Sequence, residues 1–163
     1  MELRDLDYII QAHTVHARKI SNATRKWDNK TPYFIHPIWC ATMILHETTL
    51  PEEIRKDGSQ ALLYHDVLED TNEPLPAWLS PRVISLIRNM TFGLSEDEWL
   101  NLWGKDKEIR LLKVYDKTSN ILDGSWMAAR RRQKHIAHLK KLVADVRRNY
   151  GDLNILKIAE TQY

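Results

Sequence analysis

Glycine and proline are scarce in this chain, with five glycines and six prolines among 163 residues. Because these residue types supply most tight turns, their scarcity favours long helices over many short strands. Apolar residues recur at helical spacing, as in Ile38, Ala41 and Ile44, and no stretch alternates as a half-buried strand does. We therefore predict an all-α protein of about six to eight helices, folded as a single compact domain over residues 1–163.

Start and stop signals divide the chain into segments. Ser80-Pro81 is typical of an N-cap followed by proline in the first turn, and Ser95 with Glu98 is a candidate capping box. Pro51 and the acidic residues after it predict a short turn, so we expect the next helix to open at Gly58. The predicted helices cover residues 3–20, 37–48, 58–70, 81–89 and 107–122, with further helices beginning near residues 95, 125 and 152.

Composition and charge exclude several classes of protein. The chain is 43% hydrophobic and 28% charged, which is an ordinary globular balance. A net charge of +2 makes nucleic acid an unlikely partner, and we interpret the basic run after Arg130 as the solvated face of an amphipathic helix. No apolar stretch approaches a membrane span. The single cysteine, Cys40, cannot form an internal disulfide, so nothing requires an oxidising compartment. From these features together we expect a cytoplasmic protein with no membrane partner.

The run from His65 to Asp70 is the strongest chemical signal. His65, Asp66, Glu69 and Asp70 stand at positions that share one stripe of a helix, directly after an Ala-Leu-Leu stretch. Such a helix is buried on one side and faces a polar cleft on the other. Taken alone, the run fits a solvated acidic face as well as it fits an active site.

Two residues outside this run favour the active site. His36 precedes a proline at the head of an earlier helix, and Asp116 lies within a later one. Together with His65 and Asp66 they supply two imidazoles and two carboxylates from three helices. This mixed nitrogen and oxygen set suits Mn²⁺, Fe²⁺ or Zn²⁺ and leaves coordination positions for water and substrate.

Three motifs carry a resemblance to a known family. RKWDNKTPYFIHP matches a segment of the form R-K…PYxxHP, ALLYHDVLEDT matches ALLHDxxEDT, and KVYDKTSNILD matches KxADxxxNL. They occur in the family's order between Arg25 and Asp123. On these motifs the chain resembles the HD metal phosphohydrolases, and among them the hydrolase domain of Rel/SpoT-type enzymes and their small stand-alone homologues. The resemblance implies an HD-type helical domain.

The resemblance also implies roles for individual residues. His36, His65, Asp66 and Asp116 would hold Mn²⁺, or another divalent transition metal. The catalytic pair Glu69 and Asp70 would position or deprotonate the attacking water. Residues outside this centre would contact the nucleotide substrate: Arg25, Lys26, Tyr33 and Asn120.

The implied reaction is hydrolysis of the guanosine polyphosphate ppGpp to GDP and pyrophosphate, a reaction of the stringent response. Two departures bear on the substrate: the arginine usual after Asn120 is replaced by Leu122, and the usual Leu-Ala before Asp116 is Val114-Tyr115. A site without that arginine suits a less charged nucleotide. The alternatives are therefore an HD-type phosphatase acting on NADPH or other nucleotides, and a catalytically silent nucleotide-sensing module.

Overall fold

The computed structural model describes residues 1–93 and 95–163, with the side chains of residues 20, 95 and 96 left out. Within these residues the protein is all-helical, and the only β-type pairings are two isolated bridges. If the single turn Val67–Asp70 (α4) is counted with the helix before it, the described part contains eight α-helices. The others are Leu3–Thr14 (α1), Ile35–Leu45 (α2), Glu52–Tyr64 (α3), Pro81–Met90 (α5), Ser95–Asn101 (α6), Lys107–Leu122 (α7), Ala129–Tyr150 (α8) and Asn154–Glu160 (α9).

Helix α7 lies at the centre of the molecule and contacts α2, α3, α5, α8 and α9. One continuous apolar core surrounds it, and Leu111, Leu112 and Tyr115 are fully buried there. Polar residues of α7 are buried as well, including Lys113, Asp116 and Lys117. Because charged groups are rarely buried without partners, these three indicate a polar site along one side of the helix.

Helix α3 begins six residues earlier than predicted, at Glu52 instead of Gly58. The acidic residues taken for a turn, Glu52 and Glu53, lie in its first turn, where they complement the helix dipole. Gly58 lies inside the helix. A Cβ at this position would come within 2.8 Å of Ile44 Cδ1 and 3.0 Å of Leu112 Cδ2, so glycine permits α2, α3 and α7 to pack closely.

The predicted helix through residue 70 is interrupted at His65 and Asp66, which stand between α3 and α4. The prediction that His65, Asp66, Glu69 and Asp70 share one stripe of a single continuous helix is therefore wrong. His65 caps the end of α3, and Asp66 precedes α4 with φ −90° and ψ −5°. Side chains of successive residues do not ordinarily face each other on a helix, yet His65 Nε2 and Asp66 Oδ1 lie 3.2 Å apart.

Helix α1 ends at Thr14, six residues before the predicted end. The segment after it pairs with the end of α4 instead: Arg18 N donates to Asp70 O at 2.8 Å, and Asn72 N donates to His16 O at 3.1 Å. These backbone hydrogen bonds hold the loop of residues 15–34 against the His65–Asp70 run.

Other boundaries follow the sequence closely. Ser80 Oγ accepts from Val83 N at 3.2 Å, which confirms the predicted cap of α5. Helix α7 covers the predicted residues, whereas α8 begins at Ala129 instead of Ser125. The predicted capping box involves the side chain of Ser95 and falls outside the described residues. Among the helices that are described, none is both long and apolar enough to cross a bilayer.

Candidate active site

A pocket of about 240 Å³ opens between α7, the His65–Asp70 run and the loop after α1. His36 and His65 lie beneath its floor, against Asp66 and Asp116. The other predicted site residues all line the pocket: Arg25, Lys26, Tyr33, Asp66, Glu69, Asp70, Asp116 and Asn120. The chain thus brings together residues that are up to 95 positions apart in sequence.

The two imidazoles beneath the floor are held by their Nδ1 atoms. His36 Nδ1 lies 2.8 Å from Ser119 Oγ, and His65 Nδ1 lies 2.7 Å from the carbonyl oxygen of Leu62. Both Nε2 atoms are buried and have no hydrogen-bond partner among the described residues. An imidazole fixed through one nitrogen, with the other aimed at a shared point, is the arrangement typical of a metal ligand.

One carboxylate joins the two imidazoles in a compact set. One ligand atom from each of His36, His65 and Asp116 lies within 4.8 Å of the others. Asp66 stands beside them, with Oδ1 3.2 Å from His65 Nε2 and Oδ2 3.5 Å from His36 Nε2. The unpartnered nitrogens and the two carboxylates fit a divalent metal ion, so the residues present match the group that HD-type hydrolases require.

The electrostatics of the centre agree with this fit. Burial by itself disfavours the charged form of His65, but the carboxylates of Asp66 and Asp116 outweigh it and raise the pKa of this imidazole to about 9. For Asp116, burial is likewise outweighed, by Lys113 and both imidazoles, and its pKa falls well below the ordinary value. The two carboxylates therefore favour a positive charge at this point, which the proton on His65 supplies when no metal ion is bound.

Glu69 and Asp70 stand beside this centre and have different environments. Phe92 N donates to Glu69 Oε1 at 2.9 Å, and Asn22 Nδ2 donates to Asp70 Oδ1 at 2.8 Å. Burial, and next the charge of Asp66, raises the pKa of Glu69 to about 7 and that of Asp70 to about 6. A carboxylate with a pKa near neutrality accepts a proton from water and releases it again at physiological pH.

Arg25 does not extend freely into the pocket as a stacking surface. Its side chain is buried, and Nε donates to Asp123 Oδ2 at 2.7 Å while Nη2 donates to Asn120 Oδ1 at 3.1 Å. Asn120 in turn donates to Asp116 Oδ1 at 2.6 Å. Two predicted substrate contacts are thus joined in a chain of hydrogen bonds that ends on a candidate metal ligand.

Lys26 and Tyr33 occupy opposite ends of the pocket. Lys26 Nζ lies 4.8 Å from the ring centroid of Trp126 at the mouth, and Arg131 lies against the same ring at 5.5 Å. Tyr33 lies at the floor, where its hydroxyl donates to Asp66 Oδ2 at 2.7 Å. Tyr33 therefore contacts the candidate metal centre, whereas Lys26 lies where a substrate enters.

Several pocket residues had no signal in the sequence motifs. Arg131 and His135 were interpreted as belonging to the outer face of α8, and α6 carried only a candidate capping box, with no chemical motif. Only the positions of Lys113 and Lys117, on the Asp116 helix, could have suggested a role in the pocket. Lys113 opens the KVYDKTSNILD motif, although no role was assigned to it, and the residues found by the structure alone are Ser21, Asn22, Thr24, Glu98, Lys117, Trp126, Met127, Arg131 and His135.

Comparisons with known proteins agree with this geometry, although no family model matches the chain. The chain is similar to the guanosine-3′,5′-bis(diphosphate) 3′-pyrophosphohydrolase MESH1 of Xenopus tropicalis, with 27% identity over 130 residues, which cover 73% of this chain and 70% of that protein. The predicted resemblance is confirmed. The chain is also similar to the solved structure of a metazoan ortholog of SpoT, described as hydrolysing ppGpp, with a TM-score of 0.73 and 22% identity over 99% of this chain and 95% of that one. This likeness establishes the all-α, HD-type fold.

Proposed function

We propose that this chain is a metal-dependent phosphohydrolase that cleaves ppGpp into GDP and pyrophosphate. The observation that carries the proposal is the set of ligand atoms of His36, His65 and Asp116 within 4.8 Å of one another, beside Glu69 and Asp70 in the same pocket. The similarity to MESH1 and to the SpoT ortholog supports the substrate.

The metal, for which we propose Mn²⁺, would be held by His36, His65, Asp66 and Asp116. When bound, it would lower the pKa of a water molecule and offset charge on the phosphoryl group. Asp66 offers one oxygen toward each imidazole, and the Tyr33 hydroxyl fixes its orientation. This makes Asp66 a ligand oriented by a neighbouring donor.

Glu69 and Asp70 would position the attacking water and take its proton. The Phe92 amide and the Asn22 side chain hold one oxygen of each carboxylate, which leaves the second oxygen of each for the water. The water oxygen forms a bond to phosphorus, the bond from phosphorus to the ribose 3′-oxygen breaks, and that oxygen leaves with a proton. General base catalysis of this kind contributes roughly 10²–10⁴-fold.

We also propose that residues 1–163 act as one domain, in the cytoplasm, as part of a stringent-type response. The single continuous core around α7 supports one domain. The buried thiol of Cys40 requires no oxidising compartment.

A specific observation favours a second candidate substrate. Leu122, where the related hydrolases usually have arginine, is 43% exposed, and Arg25 is bound to Asp123 and Asn120. Near Asn120, therefore, position 122 supplies no cation and Arg25 is engaged by a carboxylate. An HD-type phosphatase acting on NADPH or another nucleotide keeps the same metal centre and needs fewer cations there.

One assay distinguishes the candidates. Metal-stripped protein is incubated with and without Mn²⁺ and with ppGpp, NADPH or common nucleotides, and released phosphate and pyrophosphate are measured. We expect Mn²⁺-dependent pyrophosphate release from ppGpp. Cleavage of another nucleotide with ppGpp untouched would replace the first candidate by the second. Metal binding without any turnover would favour a nucleotide-sensing module.

A further inference from the structure

Helix α6 places a carboxylate between two buried lysines of α7. Glu98 is 9% exposed, Lys113 is 4% exposed and Lys117 is 6% exposed, and all three line the pocket. Lysine and glutamate are almost never buried to this degree unless they are paired. Lys113 is the first residue of the KVYDKTSNILD motif, but the motifs assign the cluster no role, and the metal centre described above does not include it.

The distances show an unequal pairing within this cluster. Lys117 Nζ lies 2.7 Å from Glu98 Oε1, whereas Lys113 Nζ lies 3.5 Å from Glu98 Oε2 and 2.7 Å from Asp116 Oδ2. Glu98 Oε1 is buried and has no aligned hydrogen bond among the described residues. Glu98 thus supplies the counter-charge for Lys117 and lies near Lys113, without satisfying the hydrogen bonding that burial requires.

Lys113 and Lys117 depend on Glu98 to different degrees. Lys113 retains Asp116 as a partner if Glu98 moves away. In the described part of the chain, Lys117 has no carboxylate within ion-pair distance other than Glu98. Removal of Glu98 from the pocket would therefore leave a buried ammonium group on the residue directly after the metal-facing Asp116.

We propose that Lys113 and Lys117 form a subsite for a phosphoryl group of the substrate, and that Glu98 occupies this subsite until the substrate displaces it. This inference rests on the proposed function, since it concerns the same pocket. A terminal phosphoryl group carries more negative charge and more acceptor oxygens than one carboxylate, and lysine binds it as a point charge. It can therefore pair with both ammonium groups at once.

The position of Lys113 gives this subsite its direction. Its ammonium group touches the candidate metal ligand Asp116, and Lys117 follows one turn further along α7. A diphosphate with its reacting phosphorus at the metal centre would extend its second phosphoryl group along α7 toward Lys117. The subsite would then hold the pyrophosphate product after the ribose 3′-oxygen has left, and Glu98 would return as the pyrophosphate departs.

The test uses inorganic pyrophosphate as the probe and the 163-residue chain, stripped of metal in the presence of EDTA. The dissociation constant is measured by calorimetry. We expect Glu98→Gln to bind pyrophosphate about 10-fold more tightly than the parent, because the competing charge is gone while the side-chain size is kept. Asp97→Asn is the matched control: it removes one exposed negative charge from the same helix and should leave the affinity within 2-fold, an order-of-magnitude expectation for a screened surface charge.

A double-mutant cycle separates displacement from a general charge effect. In the parent, Lys117→Gln should change pyrophosphate affinity only slightly, because Glu98 already neutralises this lysine. In the Glu98→Gln background, the same change should abolish most of the gain. A gain that survives Lys117→Gln, or a Glu98→Gln protein that is folded and binds no better than the parent, would overturn the proposal.

Glu98→Asp provides a second test if Glu98→Gln does not fold. It keeps the charge but withdraws the carboxylate from Lys117 by one methylene, so we expect a smaller gain in affinity. A folded Glu98→Asp protein without any gain would contradict the proposal. Pyrophosphate binding does not require turnover, so loss of the ppGpp activity and loss of the subsite are separate outcomes. The subsite could stand where ppGpp hydrolysis fails, and the reverse also holds.

Discussion

The two walls of the pocket are built on different principles. The inner wall, formed by His36, His65, Asp66 and Asp116, is buried, and each of its side chains is fixed by a hydrogen bond or an ion pair. The outer wall, formed by Glu98, Lys117, Trp126, Arg131 and His135, relies on ion pairs and contacts between rings and cations. Rigid ligands suit a metal ion, whereas exchangeable ion pairs suit a substrate that enters and leaves.

This difference predicts how mutations act. A change in the inner wall removes the metal and therefore acts on every substrate alike. A change in the outer wall alters how well each substrate binds, with a size that depends on its charge. The predictions below test the two walls in order of decreasing effect.

The largest effect is expected from His65→Ala in the inner wall. It deletes one of the two imidazoles whose unpartnered Nε2 atoms define the metal centre. We expect loss of bound metal and a fall in turnover of more than about 100-fold, the upper range for altered ligand support. The loss of metal is measured as metal content after desalting, and the fall in turnover is measured as the rate with added Mn²⁺. His46→Ala, at an exposed histidine after α2, is the control, and normal metal content in His65→Ala would exclude this centre.

Glu69→Gln should retain the metal and lose turnover. The amide keeps the shape of the side chain but cannot accept a proton from water, so we expect roughly 10²–10⁴-fold slower hydrolysis. Metal content and the melting temperature are measured alongside the rate. Full activity in a folded Glu69→Gln protein would show that the proton goes elsewhere, and Asp70→Asn would then be the variant to examine.

The sequence was sufficient for most of the inner wall. Its residues lie in short runs around His36, His65 and Asp116, and chemistry of this kind requires fixed residue types at fixed spacing. The apolar periodicity of α7 was equally informative, because its core face is continuous. The interruption between α3 and α4 was not predictable from periodicity, since His65 and Asp66 keep the helical spacing of residues in the run.

The outer wall could not be predicted, for a physical reason. Glu98 and Arg131 lie in segments whose sequence reads as an ordinary amphipathic or polar helix. Their place in the pocket depends on how α6 and α8 pack against α7. Likewise, Arg25 was expected to contact the nucleotide, and its hydrogen bond to Asp123 depends on two elements 98 positions apart.

Ser119→Ala tests whether a residue that is not itself a candidate ligand orients the His36 imidazole of the inner wall. Ser119 Oγ lies 2.8 Å from His36 Nδ1, and its loss would free the ring without removing a ligand. Loss of such a supporting contact lowers metal affinity by roughly 10–100-fold. A competition titration with a metal indicator measures the change. Ser125→Ala, at an exposed serine before α8, should have no effect, and equal affinities in both variants would show that Ser119 does not orient His36.

The smallest effect concerns stability behind the outer wall, where His138 packs against Trp99 and Trp103. Burial, and next the charge of Lys117, lowers the pKa of His138 to about 4, from an ordinary value of 6.5. The unfolded chain therefore takes up a proton near pH 6.5, whereas the folded protein does so only near pH 4. Stability is complete above pH 6.5 and decreases as the pH falls toward 4, by about 3 kcal/mol at most.

His138→Gln removes this titration, so the free energy of unfolding should fall less between pH 7 and pH 4 than it does in the parent. Urea unfolding at several pH values measures the difference, with His46→Gln as the surface control. If the free energy of unfolding falls with pH equally in the parent and in His138→Gln, protonation of His138 does not destabilise the folded protein. In that case the contact between Trp99 of α6 and His138 of α8 would accommodate a charged imidazole, as the neighbouring ion pairs accommodate charge.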